Sequence, residues 1–286
     1  MDKRLVLAAK KLALGHEGYE KLSSSVKRII DEVSCGQIVG KKVFLSVLDR
    51  IEIDKYYSNI LGISLLKVDF KVEDRIEAAS IFKNEKWAQK GVFSDLLNFS
   101  SLKNPLPLKT GEIDIASGAI VSSSLEDIDI KKISKVIVTE NGEVLNHINL
   151  LKHIVPDLFK DALVLYRGHG INENYVFNFL ENLNNNCYVG FFCDYDASGL
   201  AISLNLKKHA KALTYLIIPK NIDLSLAVYS KEWCYQDQKA ILEKLLDNKE
   251  SFLIKQCASD LYRYKLALTQ EHMLVKVIFL QAIVFN

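Results

Sequence analysis

Asp194 and Asp196 stand two residues apart in the stretch Phe192-Cys193-Asp194-Tyr195-Asp196-Ala197-Ser198-Gly199. Two carboxylates leaving a strand can aim at one ion once the strand bends into a loop. A third acid, Glu140, follows the apolar run Val136-Ile137-Val138 and Thr139. Between these two points lies Arg167-Gly168-His169-Gly170, at the end of another apolar run, 162–166. Three acids gathered without a counter-ion repel one another, and at least one pKa must rise. A hard divalent cation removes that repulsion, and oxygen-only donors favour Mg²⁺ or Mn²⁺ over zinc. Because Mg²⁺ keeps waters and is completed by phosphate oxygens, such a site suits phosphodiester chemistry. Gly168, Gly170 and Gly199 permit tight turns and let a phosphate approach the backbone, where helix N-termini favour the anion.

Each piece also has an ordinary structural reading. A lone Asp-x-Asp is mostly turn chemistry or helix capping. Glu140 could cap the next helix, and Gly168 with Gly170 could simply close a turn. Specificity comes from order, since the three clusters terminate three successive strands.

That order depends on the elements around the clusters. From Ile133 onward, strand-like runs at 136–138, 162–166, 187–193 and 212–218 alternate with helical stretches at 144–154, 172–183 and 197–210. Short loops between them predict an α/β fold with a parallel sheet covered on both faces. Ligands of such sheets collect at the carboxyl ends of the strands, which puts all three clusters on one rim. Beyond Trp233 the periodicity is again mostly helical.

The first hundred residues read as mainly helical. Leu22, Val26, Ile29, Ile30 and Val33 fall at three- and four-residue spacing, with Ser23, Ser24 and Ser25 available as caps. Segments 43–51, 72–82 and 87–97 look like further helices, and 63–70 alternates as a strand does. Lys21, Lys27, Arg28, Lys41, Lys42 and Arg50 give this half a basic character. Together these features fit a winged-helix-like module binding DNA or a partner, although charges along a helix are also its usual solvated face. Asn104-Pro105-Leu106-Pro107 removes backbone donors and marks a boundary, giving domains 1–110 and 111–286. Residues 113–130 alternate loosely around Ser-rich turns and lead into the next sheet.

The 37 Lys and Arg against 35 Asp and Glu leave +2 on 286 residues, which excludes a wrapper that binds by bulk charge but permits a local basic surface. Hydrophobic residues at 49% and charged residues at 25% belong to a folded chain rather than a disordered one. With only 4 Pro and 13 Gly, collagen-like and low-complexity architectures are excluded. The 5 cysteines are dispersed, without the close pairs of a zinc site. Lys10 and Lys11 interrupt the apolar N-terminus, so it lacks a secretory core. The most apolar stretch, 273–285, carries Lys276 and Gln281 and is too short to span a bilayer. These features predict a cytoplasmic protein with no membrane partner.

Glu140 after one strand, Gly168 and Gly170 after the next, and Asp194 with Asp196 after the third resemble the Toprim domain of topoisomerases, primases and nucleases. Val138-Thr139-Glu140-Asn141 and the run from Phe192 to Ile202 are most similar to the branch of the Wadjet nuclease subunits JetD and MksG. That branch is kin to the topoisomerase VI A subunit, and its late Gln-Glu pair is similar to Gln270-Glu271 here. The match covers about residues 133–220. The resemblance implies Mg²⁺- or Mn²⁺-dependent cleavage of double-stranded DNA. In it Asp194 and Asp196 hold the metal, Glu140 is a ligand or general acid/base, and Glu271 is a supporting acid. Arg167, Gly168, His169 and Gly170 would steady the scissile phosphate. It also implies an SMC-like (condensin-type) partner complex, nucleoid association, a role in plasmid or phage defence, and a homodimer whose two sites face the two strands.

Two alternatives stay open at this point. One is a non-catalytic Toprim scaffold that binds DNA or an SMC-type partner. The other is a tyrosine nucleophile of the topoisomerase VI kind, for which Asp49-Arg50 and Tyr56-Tyr57 invite comparison at the wrong spacing. The Asp-x-Asp phosphatases place their motif after the first strand and continue into Gly-Thr, unlike the sequence here.

Overall fold

Leu5, Val6, Ala9 and Leu12 recur at helical spacing, and in the computed structural model of the chain they form the buried face of α1 (Lys3–Ala13). The structure describes residues 3–67, 95–168, 171–249 and 251–285. These divide into two units, Met1–Ser94 and Asp95–Asn286.

In the first unit α1 is followed by β1 (Gly18–Lys21), α2 (Ser24–Val33), β2 (Gln37–Val39), β3 (Lys42–Leu45) and α3 (Val47–Leu61). Ser23 starts α2 by accepting the Val26 N–H at 3.3 Å, as its position before the apolar period predicts. The antiparallel sheet runs β1-β3-β2. Segment 43–51, expected as one helix, is instead β3 followed by the start of α3. Val43 and Leu45 alternate inward with period two, and Ser46 then caps α3 in a reciprocal capping box with Asp49. Leu65–Lys67, expected within a strand, is a single 3-10 turn. The helix expected at 72–82 and most of that at 87–97 lie outside the described residues.

The Asp49-Arg50 pair serves the fold of this unit. Asp49 also accepts the Gly36 N–H at 3.0 Å, while Arg50 is buried and paired with Glu20 at 3.0 Å. Arg50 is therefore a core residue rather than part of a basic surface. Tyr57 is fully buried and donates its hydroxyl to Glu32 at 2.7 Å. Burial and that carboxylate push its pKa far above the ordinary phenol value, the opposite of what a nucleophile needs.

In the second unit β4 (Leu96–Ser101) hydrogen-bonds to β9 (Leu163–Tyr166), so the unit begins before the expected boundary at 110. Leu96 and Leu97, expected at the end of a helix, are the first residues of that strand. The proline stretch is no linker, because β5 (Leu106–Leu108) and β6 (Gly111–Ile113) form a small hairpin there. Then come β7 (Val121–Ser124), β8 (Lys135–Thr139), α4 (Glu143–Asn146), α5 (Ile148–Ile154), β9, α6 (Ile171–Asn182) and β10 (Tyr188–Phe192). They are followed by α7 (Ala197–His209), β11 (Leu213–Pro219), α8 (Glu232–Asp237), α9 (Lys239–Leu246), α10 (Phe252–Tyr264), α11 (Gln270–Val275) and β12 (Leu280–Val284).

The large sheet has the order β12-β11-β10-β8-β9-β4-β7. Its four central strands are parallel, but β12, β4 and β7 pair antiparallel, so the sheet is mixed rather than wholly parallel. Val136, Ile137, Val138, Val164, Leu165, Phe191 and Phe192 are fully buried, because helices cover both faces. On one side α6 packs against α7, which also carries α9 and α10. Elsewhere α11 packs against α4 and α5. The chain leaves β8 for β9 on one flank and returns to β10 on the other. The strand order therefore reverses beside β8, and its carboxyl end opens a crevice toward β10. Among the described residues no helix is long and apolar enough to cross a membrane.

Candidate functional site at the reversal of strand order

Thr139 lies opposite Phe192 in the register of β8 and β10, so the residues that follow leave the sheet side by side. The Glu140 N–H donates to the Phe192 carbonyl at 3.3 Å. The Asp194 N–H donates to Glu140 Oε2 at 3.2 Å, joining acids 54 positions apart in the chain. Asp194 Oδ1 accepts the Gln270 N–H at 2.7 Å. Asp196 caps α7, its Oδ1 accepting the Gly199 N–H at 2.7 Å and its Oδ2 an amide hydrogen of Gln238 at 2.9 Å. A Cβ on Gly199 would lie 2.0 Å from the Asp194 carbonyl oxygen. This glycine, expected to let a phosphate approach, is required by the helix packing against the Asp194 backbone.

Gln270 holds the two strand ends together. It is fully buried, and its Oε1 accepts the Asn141 N–H at 2.8 Å. Its Nε2 donates to Thr139 Oγ1 and to the Phe192 carbonyl, each at 2.8 Å. Next to it, Glu271 accepts a hydrogen bond from the Asn141 side chain. The late Gln-Glu pair thus bonds to residues beside the strand-end acids, and the buried glutamine makes the larger number of bonds. No local pattern announces that role, or the role of Gln238, because their partners lie at least forty positions away in sequence.

On the neighbouring strand, the Arg167 N–H donates to the Thr139 carbonyl at 3.0 Å, and its guanidinium pairs with Glu173 at 3.1 Å. Gly168 has φ +72°, and a Cβ there would meet the Asn172 Cβ at 2.6 Å, so its turn needs glycine. His169 and Gly170 lie outside the described residues.

The acids form one electrostatic cluster. Burial lifts the Glu140 carboxyl above its ordinary value; the Asp194 N–H and Arg167 oppose the rise, while Asp196 and Glu271 add to it. Burial, then the charge of Glu140, pushes Asp194 up to about 8, against the Gln270 N–H and with help from Asp196 and Glu271. A divalent cation would reverse these effects, and the donors on offer are all oxygens, so Mg²⁺ or Mn²⁺ fits their chemistry. Among the described residues no three His, Cys, Asp or Glu side chains form a ready cage for a metal. A cation here would complete its shell with water and substrate oxygens, the habit of Mg²⁺.

Fold and site together define a mixed α/β domain with buried and half-buried acids where its strand order reverses. A family model described as a domain of unknown function (DUF7281) matches residues 94–282, and the chain belongs to that family. No match was found among curated proteins.

Proposed function

We propose that the chain is a metal-dependent DNA endonuclease of the Toprim kind, working beside an SMC-like complex in plasmid or phage defence. The observation that carries this reading is the direct bond between the strand ends, Asp194 N–H to Glu140 Oε2 at 3.2 Å. It sets two half-buried acids of raised pKa in one crevice. Glu140 and Asp194 are the residues that would hold Mg²⁺ or Mn²⁺, with Asp196 and Glu271 adding negative charge. When bound, the metal supplies an activated water and neutralises charge on the phosphodiester. Glu140, whose carboxyl burial raises above its ordinary value, is the candidate general acid or base. Arg167, which acts electrostatically on Glu140, is the residue that would offer positive charge to a phosphate oxygen.

The first unit is proposed as a winged-helix-like DNA-binding module. Lys21 stands opposite Lys42 across β1 and β3, and Lys41 adjoins them, all three exposed. Like charges directly opposite destabilise a strand pair, and a phosphate backbone would turn that repulsion into attraction.

The test is cleavage of supercoiled and linear DNA with Mg²⁺ or Mn²⁺ by the full chain. Glu140→Ala and Asp194→Ala should each abolish cutting while the protein stays folded; undiminished cutting by both would refute the reading. A second reading, a scaffold that binds DNA or an SMC-type partner without cutting, is favoured by the hydrogen bonds from Gly199 and Gln238 that already engage both Asp196 oxygens. It predicts a wild-type protein that binds duplex DNA and leaves it intact with either metal and the partner present.

A further inference from the structure

Helix capping needs one oxygen of Asp196, and the Gly199 N–H takes it at 2.7 Å. The second oxygen is held by something capping does not require. Gln238, between α8 and α9, donates Nε2 to Asp196 Oδ2 at 2.9 Å and accepts the Ser198 N–H on Oε1 at 3.0 Å. The amide can sit only one way round. The Ser198 N–H can only donate, so it must meet the amide oxygen, which leaves the NH₂ facing Asp196. Gln238 is itself anchored by its backbone N–H to the Cys234 carbonyl at 3.1 Å, so the helical extension after β11 reaches into the rim. With both oxygens pinned, the Asp196 carboxylate cannot rotate, and each oxygen keeps one further lone pair.

We infer that Gln238 is a positioning residue that fixes the Asp196 carboxylate beside a divalent cation held by Glu140 and Asp194, on both of which Asp196 acts through its charge. The inference rests on the metal-dependent reading above and adds to it a residue from the C-terminal helices. Partners beyond the ligands themselves characteristically control metal affinity by ten- to hundredfold.

The experiment is Mn²⁺ binding by electron paramagnetic resonance at 25 °C on the full-length wild type, Gln238→Met and Gln238→Ala. Thermal melts in chelator run alongside. Methionine keeps the volume and removes both hydrogen bonds, and alanine serves should the methionine variant fail to fold. Each folded variant should bind Mn²⁺ about tenfold more weakly than wild type. A lowered melting temperature with unchanged Mn²⁺ affinity would reduce Gln238 to a structural strut and overturn the inference. A wild type that binds no Mn²⁺ would instead remove the metal-dependent reading beneath it.

Discussion

The surroundings of Asp194 disfavour its charged form. Its carboxyl stands at about 8 in the folded protein, against about 4 in an unfolded chain. Between those values the unfolded state has released a proton that the folded state still holds. Folded stability therefore falls as pH rises from about 4, and the full penalty is present above about 8. Asp194→Asn keeps the oxygen that accepts the Gln270 N–H and removes the charge. In chelator at about pH 9 it should melt about 5 °C above wild type, and the difference should vanish near pH 4. Added Mg²⁺ should raise the wild type and leave the variant unmoved. Thermal melts across pH, with and without metal, decide this. At Gly199 the prediction is steric, since a methyl group would lie 2.0 Å from the Asp194 carbonyl oxygen. Gly199→Ala should cost about 3 kcal/mol in urea unfolding and should impair cleavage by displacing Asp194.

Two strands and one short helix make the crevice. β8 and β10 supply acids at their ends, and α11 closes them together through Gln270. Gln270→Met keeps the volume but leaves the Asn141 N–H, the Thr139 hydroxyl and the Phe192 carbonyl without this partner. The Phe192 carbonyl still accepts the Glu140 N–H and the Thr139 hydroxyl still donates to the Asn141 carbonyl, so the Asn141 N–H loses most, and a group left unpaired costs about 1–3 kcal/mol. The variant should lose about 2 kcal/mol in denaturant, and hydrogen exchange should quicken at Glu140 and Asn141. The central elements were legible in the sequence for a physical reason. β8, β9 and β10 are covered on both faces, so Val136-Ile137-Val138, Leu163-Val164-Leu165 and Phe191-Phe192 read as continuous apolar runs that stop at polar clusters. The edges were not legible. β12 is a five-residue run shortly after the helix α11, where period alone does not separate strand from helix. β4 begins with Leu96-Leu97 at the end of a segment of helical period, and its pairing with β9 outweighs local preference. β3 and the start of α3 read as one helix because apolar residues continue on both sides of Ser46, the cap that separates them.

At the scale of the whole chain, the two units carry different parts of the proposal, acids in one and lysines in the other. Lys21→Glu with Lys42→Glu should weaken binding to duplex DNA about equally across sequences. It should also lower the slope of affinity against salt by roughly one per lysine. Mn²⁺ binding by the second unit should be unchanged. Fluorescence anisotropy with labelled duplex over a salt series measures both effects. The family match at residues 94–282 follows the second unit, which begins at Asp95. What the amino-acid order determined alone was the alternation of strand and helix and the placing of acids at strand ends. Those depend on neighbours within a few residues and on which side chains water excludes. Only the tertiary structure decided that β8 and β10 lie side by side, that Gln270 and Gln238 come from the far end of the chain to hold the acids, and that Tyr57 and Arg50 belong to the core. Each of these depends on contacts across tens of residues, where hydrogen-bond geometry rather than local pattern selects the partner.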